Sequence, residues 1–211
     1  MRARPPEPEN RRQRILDAAL AIADERGLDA VTMRAVAAGV GVTAMALYPY
    51  VKSKDDLLDG LVGRLLTELH VPDPATPWQD RLREIARSAR ETARRHPAVM
   101  PLLFSRPAVT PDAVRVVDAF YQALIDAGVP DDEVARVERL ITTLVLGYAI
   151  SEANGRFAGR DPRERRAMLE GVDLPAHRRL AAKLETPVSW EAEFEADLDD
   201  LERLIENIAS R

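Results

Sequence analysis

The sequence predicts an all-α protein, a short N-terminal three-helix unit followed by a larger helical body. Three observations carry that prediction. Only 5% of the 211 residues are aromatic, and Ala, Leu, Arg, Asp and Glu dominate, residues that lose little freedom in a helix. Apolar positions recur every three or four residues, and nowhere do they alternate with period two for long enough to make a strand. Gly and Pro fall between the periodic stretches, where helices stop and start.

Taken in order, residues 1–9 hold Pro5, Pro6 and Pro8 among mixed charges and read as a flexible arm. A first helix is expected over 10–26, with Ile15, Ala19, Ile22 and Ala23 on one face and Gly27 as its stop. Thr32 caps a short helix over 33–38, Gly39-Val40-Gly41 makes a tight turn, and Thr43 caps a second short helix ending near Tyr48. Pro49, which lacks an N–H, blocks its continuation. Ser53-Lys54-Asp55-Asp56 opens a longer helix through about Leu69. Beyond the proline-rich break at 71–77, helices are expected over 78–95, 98–105, 111–127 and 131–155, then a charged irregular stretch with one or two short helices, and a last helix over 190–209.

Composition narrows the functional classes. The chain has no cysteine, which removes disulfides and thiolate metal sites. No apolar run approaches the ~20 residues that cross a bilayer, and the charged start lacks a secretory signal, so a cytoplasmic protein with no membrane partner is expected. The net charge is −5, yet residues 1–54 carry +3 and the remainder −8. A basic end on an acidic body suits a nucleic-acid headpiece on a regulatory domain. A Gly-rich phosphate loop, a metal-spaced cluster and a nucleophile elbow are all missing, so no catalytic residue, cofactor or metal is assigned.

Two short helices joined by a glycine turn cannot bury their own apolar faces and need a helix on each side, which this chain supplies. The second short helix is then free to project, and a major groove is wide enough to take it. The segment VTMRAVAAGVGVTAMALYPYVKSKDDLLDGL, residues 31–61, resembles the helix-turn-helix of the tetracycline-repressor (TetR) family in Thr32, Ala37, Gly41-Val42, Leu47-Tyr48, Lys54 and Leu57-Leu58. The resemblance implies a DNA-binding headpiece over 1–53 and a helical effector-binding and dimerisation domain over 54–211. It places Arg34 at a guanine edge or a phosphate, Thr43, Ala44, Met45 and Tyr48 on the exposed recognition face, and Tyr50 and Lys54 at phosphates. Lys54 has a physical argument of its own. A cation at a helix N-terminus opposes the macrodipole by about 0.3–1 kcal/mol, while the free N–H groups beside it make an anion site. A solvated lysine and a core methionine are the plain alternatives for Lys54 and Met45.

Two stripes in the body have heptad-like spacing: Val134, Val137, Ile141, Leu144 and Tyr148, then Phe194, Leu198, Leu201, Ile205 and Ile208. They point to a four-helix bundle between two subunits, packing inside one subunit being the plain alternative. The segments 77–97, 102–107 and 144–155 resemble the C-terminal domain of the tetracycline repressor's own subfamily. That likeness implies an effector pocket with His70, Trp78, Met100, Phe104, Arg106, Phe120, Tyr121, Leu146 and Asn154 as candidate lining. Leu102 stands where the tetracycline repressor has a histidine that helps to hold a magnesium–drug chelate, and His70, His96 and His177 are scattered. A largely apolar organic effector is therefore expected. The implied function is a homodimeric repressor released from a palindromic double-stranded DNA operator by a small molecule. The alternative is an activator, or a regulator without a ligand.

Overall fold

The computed structural model describes residues 8–106, 110–156, 171–186 and 189–211. The arm up to residue 7 and most of the charged stretch after 156 lie outside these. All the described elements are helical: α1 (Pro8–Arg26), α2 (Met33–Gly39), a 3-10 turn (Ala44–Leu47), α3 (Lys54–Leu66), α4 (Trp78–Arg95), α5 (Leu102–Ser105), α6 (Pro111–Asp126), α7 (Asp131–Ala153), α8 (Pro175–Leu184) and α9 (Trp190–Ala209).

Capping chemistry sets the starts. The hydroxyls of Thr32, Ser53, Thr110 and Ser189 accept the amides of Ala35, Asp56, Ala113 and Ala192, each relieving one of the orphan donors of a first turn. Thr43 makes no such bond, and the expected recognition helix is only a four-residue 3-10 turn. Pro49 cannot donate, so the chain winds on through single turns, Tyr50 and Val51 both donating to the Leu47 carbonyl. Gly41 adopts φ +73° between α2 and this turn, a conformation that costs a residue with Cβ and not glycine. The expected helix over 98–105 keeps only its last turn, because Pro101 falls inside it.

The core has two parts. The first joins α1, α2, the 3-10 turn and α3 through residues such as Leu20, Val36, Leu47 and Leu61, and extends into the body through Val99, Met100 and Ala149. The second packs α4, α6, α7 and α9 around Ile85, Leu124, Ile141, Phe194 and Ile205. A boundary at residue 53 therefore precedes a helix, α3, that packs with the headpiece and also reaches the body. Both heptad-like stripes resolve mostly inward. Phe194, Leu198, Leu201, Ile205 and Ile208 are all buried within the single chain, as are Val134, Val137 and Ile141. Assigning these residues to a subunit seam is corrected here: heptad spacing fits a helix to a partner helix, whichever chain supplies it.

Candidate DNA-reading surface and effector cavity

The headpiece exposes one face. Leu47 is buried and anchors the 3-10 turn, while Val42, Thr43, Ala46 and Tyr48 are exposed, Ala44 is half-buried and Met45 is 75% exposed. That excludes the core alternative for Met45. Arg34 on α2 and Lys52 and Lys54 at the entry to α3 are exposed on the same unit. Tyr50 is half-buried, and its hydroxyl accepts from Arg11 Nη1 at 3.1 Å, with the guanidinium 5.9 Å from the ring centre. Arg11 was not singled out in the sequence; the Arg-rich run at 11–14 was its only signal.

Asp56 closes this end of α3. Its carboxylate accepts from Arg12 Nη2 at 2.9 Å and from the Lys52 amide at 2.8 Å. Burial alone would raise the Asp56 carboxyl, but Arg12 and the Lys52 amide outweigh it and hold the group below the usual carboxylate range. Arg12 also donates to the Tyr50 carbonyl, so one guanidinium fixes the loop that carries Tyr50 against α3.

The body holds a partly open, apolar cavity of about 290 Å³. Val62, Leu65 and Leu66 of α3 form one wall; Ile85, Ala86, Ala89 and Thr92 of α4 form the next; Val116, Val117 and Phe120 of α6 and a stripe of α7 complete it, with Met100, Leu103 and Arg106 at one end. Of the nine residues expected there, Met100, Arg106, Phe120 and Leu146 line it. Five do not, which corrects their assignment. His70 turns to the outer side of α4, its amide donating to Ser88 and its ring 3.3 Å from Glu84, while the neighbouring Leu69 takes the place at the wall. Trp78 and Tyr121 pack on the second core, Phe104 is 52% exposed, and Asn154 donates to the Ile150 carbonyl from an exposed position. Glu138 and Thr142 on α7 were missed, because a polar pair inside an apolar heptad reads from sequence as the solvent side. Burial pushes the Glu138 carboxyl up. Among the described residues, no three His, Asp or Glu gather as metal ligands. Leu102 is buried in the first core, His96 bridges Asp24 and Glu68, and His177 is exposed.

Cavity and DNA-facing turn are joined through α3. Arg106 Nη2 pairs with Asp55 Oδ1 and its Nη1 with Asp59 Oδ1, each at 2.7 Å. A Cβ on Gly63 would lie 2.6 Å from both Oγ1 and Cγ2 of Thr110, the cap of α6. One on Gly60 would lie 2.6 Å from Leu16 Cδ2 of α1. The helix is thus wedged, glycine to side chain, between headpiece and body.

The fold is thus a helix-turn-helix unit whose supporting helix also walls an apolar cavity. Residues 15–61 match the family of bacterial regulatory proteins named for TetR, and residues 71–206 match the tetracyclin repressor-like C-terminal domain. The chain belongs to the TetR family. The HTH-type transcriptional repressor DrrR1 of Streptomyces coeruleorubidus is 32% identical over 160 residues, covering 75% of this chain. The chain spans 59% of that repressor's length, and 60% of an HTH-type transcriptional regulator from Saccharopolyspora erythraea. The repressor Rv1353c of Mycobacterium tuberculosis is 27% identical over 211 residues, covering 91% of this chain and 80% of its own. Among solved structures, ActR of Streptomyces coelicolor in complex with actinorhodin superposes with a TM-score of 0.80 at 26% identity, covering 95% of this chain and 98% of its own. BioQ with its double-stranded DNA operator gives 0.59 at 26% identity, covering 69% and 88%. No helix of the described residues is long and apolar enough to cross a membrane.

Proposed function

We propose that this chain is a homodimeric transcriptional repressor that binds a palindromic operator and is released by a small organic molecule in the cavity. The observation that carries this reading is the double duty of α3. Its first residue, Lys54, stands beside the recognition turn, and its second half forms a wall of the cavity. A ligand that moves that wall moves a stiff rod whose other end holds the DNA-facing surface.

In this reading Arg34 and Tyr48 read base edges, while Ala44 and Met45 offer apolar contact to thymine methyls. Thr43, Tyr50 and Lys54 take backbone phosphates, with Arg11 beside Tyr50 adding charge. Base reading is chemically sparse, so Arg34 carries much of the discrimination. The partner subunit sits on the outward face of α7, where Leu140 and Leu144 are exposed and Gly147 and Ser151 allow close approach. Two-fold symmetry then presents two headpieces to successive major grooves, about 34 Å apart. The ligand works only by its differential affinity for the conformation that cannot bind DNA, a coupling that is typically about 1–3 kcal/mol. No catalytic step is assigned. The relatives named as repressors, ActR with its bound actinorhodin and BioQ on its operator support this reading.

Selection of random duplexes by the purified chain tests it, with the bound pool then challenged by a panel of small organic molecules. The expected result is an enriched inverted repeat whose complex one class of molecule dissolves. Recovery of DNA no different from the input pool would overturn the proposal.

A further inference from the structure

We infer that the cavity takes an apolar molecule carrying a protonated amine or similar cationic group, which the Glu138 carboxylate receives. The inference rests on the reading of this cavity as the effector site and gives its ligand a charge.

It follows from an inventory of the polar groups in the wall. Among the described residues nineteen line the cavity, and of these only Arg106 and Glu138 are charged and only Thr92 and Thr142 carry hydroxyls. Three of the four are already engaged. Both terminal nitrogens of Arg106 are held by Asp55 and Asp59. The Thr142 hydroxyl donates to the Glu138 backbone carbonyl at 2.9 Å, and the Thr92 hydroxyl accepts from Arg95 at 3.2 Å. Glu138 differs. Among the described residues no Lys, Arg or His forms an ion pair with its half-buried carboxylate, and the Thr142 hydroxyl and the charge of the exposed Arg139 offset its burial only in part.

A carboxylate in an apolar wall without a counter-ion is costly, and the cost falls when a cation arrives. Burial already pushes the Glu138 carboxyl up, the signature of a charge short of solvation. Glutamine or leucine would fill this position of α7 at less expense if the residue had only to pack. An anionic ligand would meet Glu138 as a like charge and would find Arg106 committed to α3. A neutral ligand would leave the carboxylate uncompensated. A cation of the same shape gains a charge-assisted hydrogen bond that is shorter and stronger than a neutral one.

Three probes of one tricyclic shape decide the matter at about pH 8: aminoacridine as cation, acridine as neutral body and acridinecarboxylate as anion. Calorimetric titration into the DNA-free full chain is expected to rank them in that order, the cation at least about tenfold tighter than the neutral probe. Glu138→Gln should bring aminoacridine to within about threefold of acridine while leaving acridine itself unchanged, the unchanged neutral probe reporting an intact cavity. Leu146→Trp, which fills the cavity, should weaken all three. Equal binding of cation and neutral probe, or preference for the anion, would overturn the inference and leave the cavity a ligand site. Failure of all three to bind, or binding indifferent to Leu146→Trp, would remove the cavity reading together with it.

Discussion

Replacing Glu152 by Gln is expected to loosen the body at a point where three helices meet on one guanidinium. Arg90 on α4 is 4% exposed; its Nε and Nη2 donate to both carboxylate oxygens of Glu152 on α7, each at 2.7 Å. Its Nη1 reaches Glu191 on α9 at 2.8 Å, and the guanidinium lies over the ring of Phe194, 4.6 Å from its centre. Donation by Arg90, helped by Arg94 and set against burial, takes the Glu152 carboxyl from 4.5 down to about 2. At about 1.4 kcal/mol for each tenfold in proton affinity, the ionised carboxylate stabilises the folded chain by roughly 3 kcal/mol at neutral pH. The folded value is the depressed one, so this contribution is complete above 4.5 and is lost as pH falls from there toward about 2. Glu152→Gln leaves Arg90 with the largely exposed Glu191 as its remaining anion, and should cost about 2–3 kcal/mol at pH 7. Urea unfolding followed by circular dichroism, at fixed protein concentration and over about pH 3 to 7, measures it. A loss below about 1 kcal/mol at pH 7, or a loss that does not shrink as the solution is acidified, would refute the reasoning.

Glu138 should behave in the opposite sense. Burial raises its carboxyl, so the folded chain holds that proton more tightly than the unfolded one and loses stability as pH rises through the elevated value. Glu138→Gln is therefore expected to melt higher than the parent at about pH 8, with the gap closing toward pH 5, read by calorimetry. Leu201→Glu places a charge among the buried residues of α4, α7 and α9 and should abolish the cooperative transition. Leu144→Glu, on the exposed face of α7, should leave a folded monomer in sedimentation; a folded monomer from the first or a dimer from the second would move the interface elsewhere. Gly63→Ala drives a methyl against Thr110 and should cost about 1–3 kcal/mol by overpacking. A neutral urea midpoint for that variant would show that α3 is not wedged against α6.

The helical architecture was legible wherever local chemistry decides. The helices Trp78–Arg95 and Trp190–Ala209 begin and end where proline, Ser189 and their apolar periods place them. The recognition segment was legible as a projecting turn, but its winding was not, because helix length there depends on a cap bond from Thr43 that the fold does not form. The stripe from Phe194 to Ile208 shows its period in the sequence and hides its partner, since the same period serves a core and an interface. His70 illustrates a finer limit. α3 stops at Leu66, three residues short of the expected end, and the turns that follow deliver Leu69 to the cavity and His70 to Glu84. Glu138, Arg11 and the Arg106 pairs with Asp55 and Asp59 depend on long-range packing, which no local pattern encodes.

Binding by the parent chain, Arg34→Ala and Lys54→Ala, measured on the selected operator and on a scrambled duplex over a range of salt, tests the central claim most directly. The account predicts that Lys54→Ala weakens both duplexes alike and lowers the salt slope by about one. It predicts that Arg34→Ala costs about 1–3 kcal/mol more on the operator than on the scrambled duplex. A parent chain that holds both duplexes equally, with neither substitution changing its salt dependence, would contradict it.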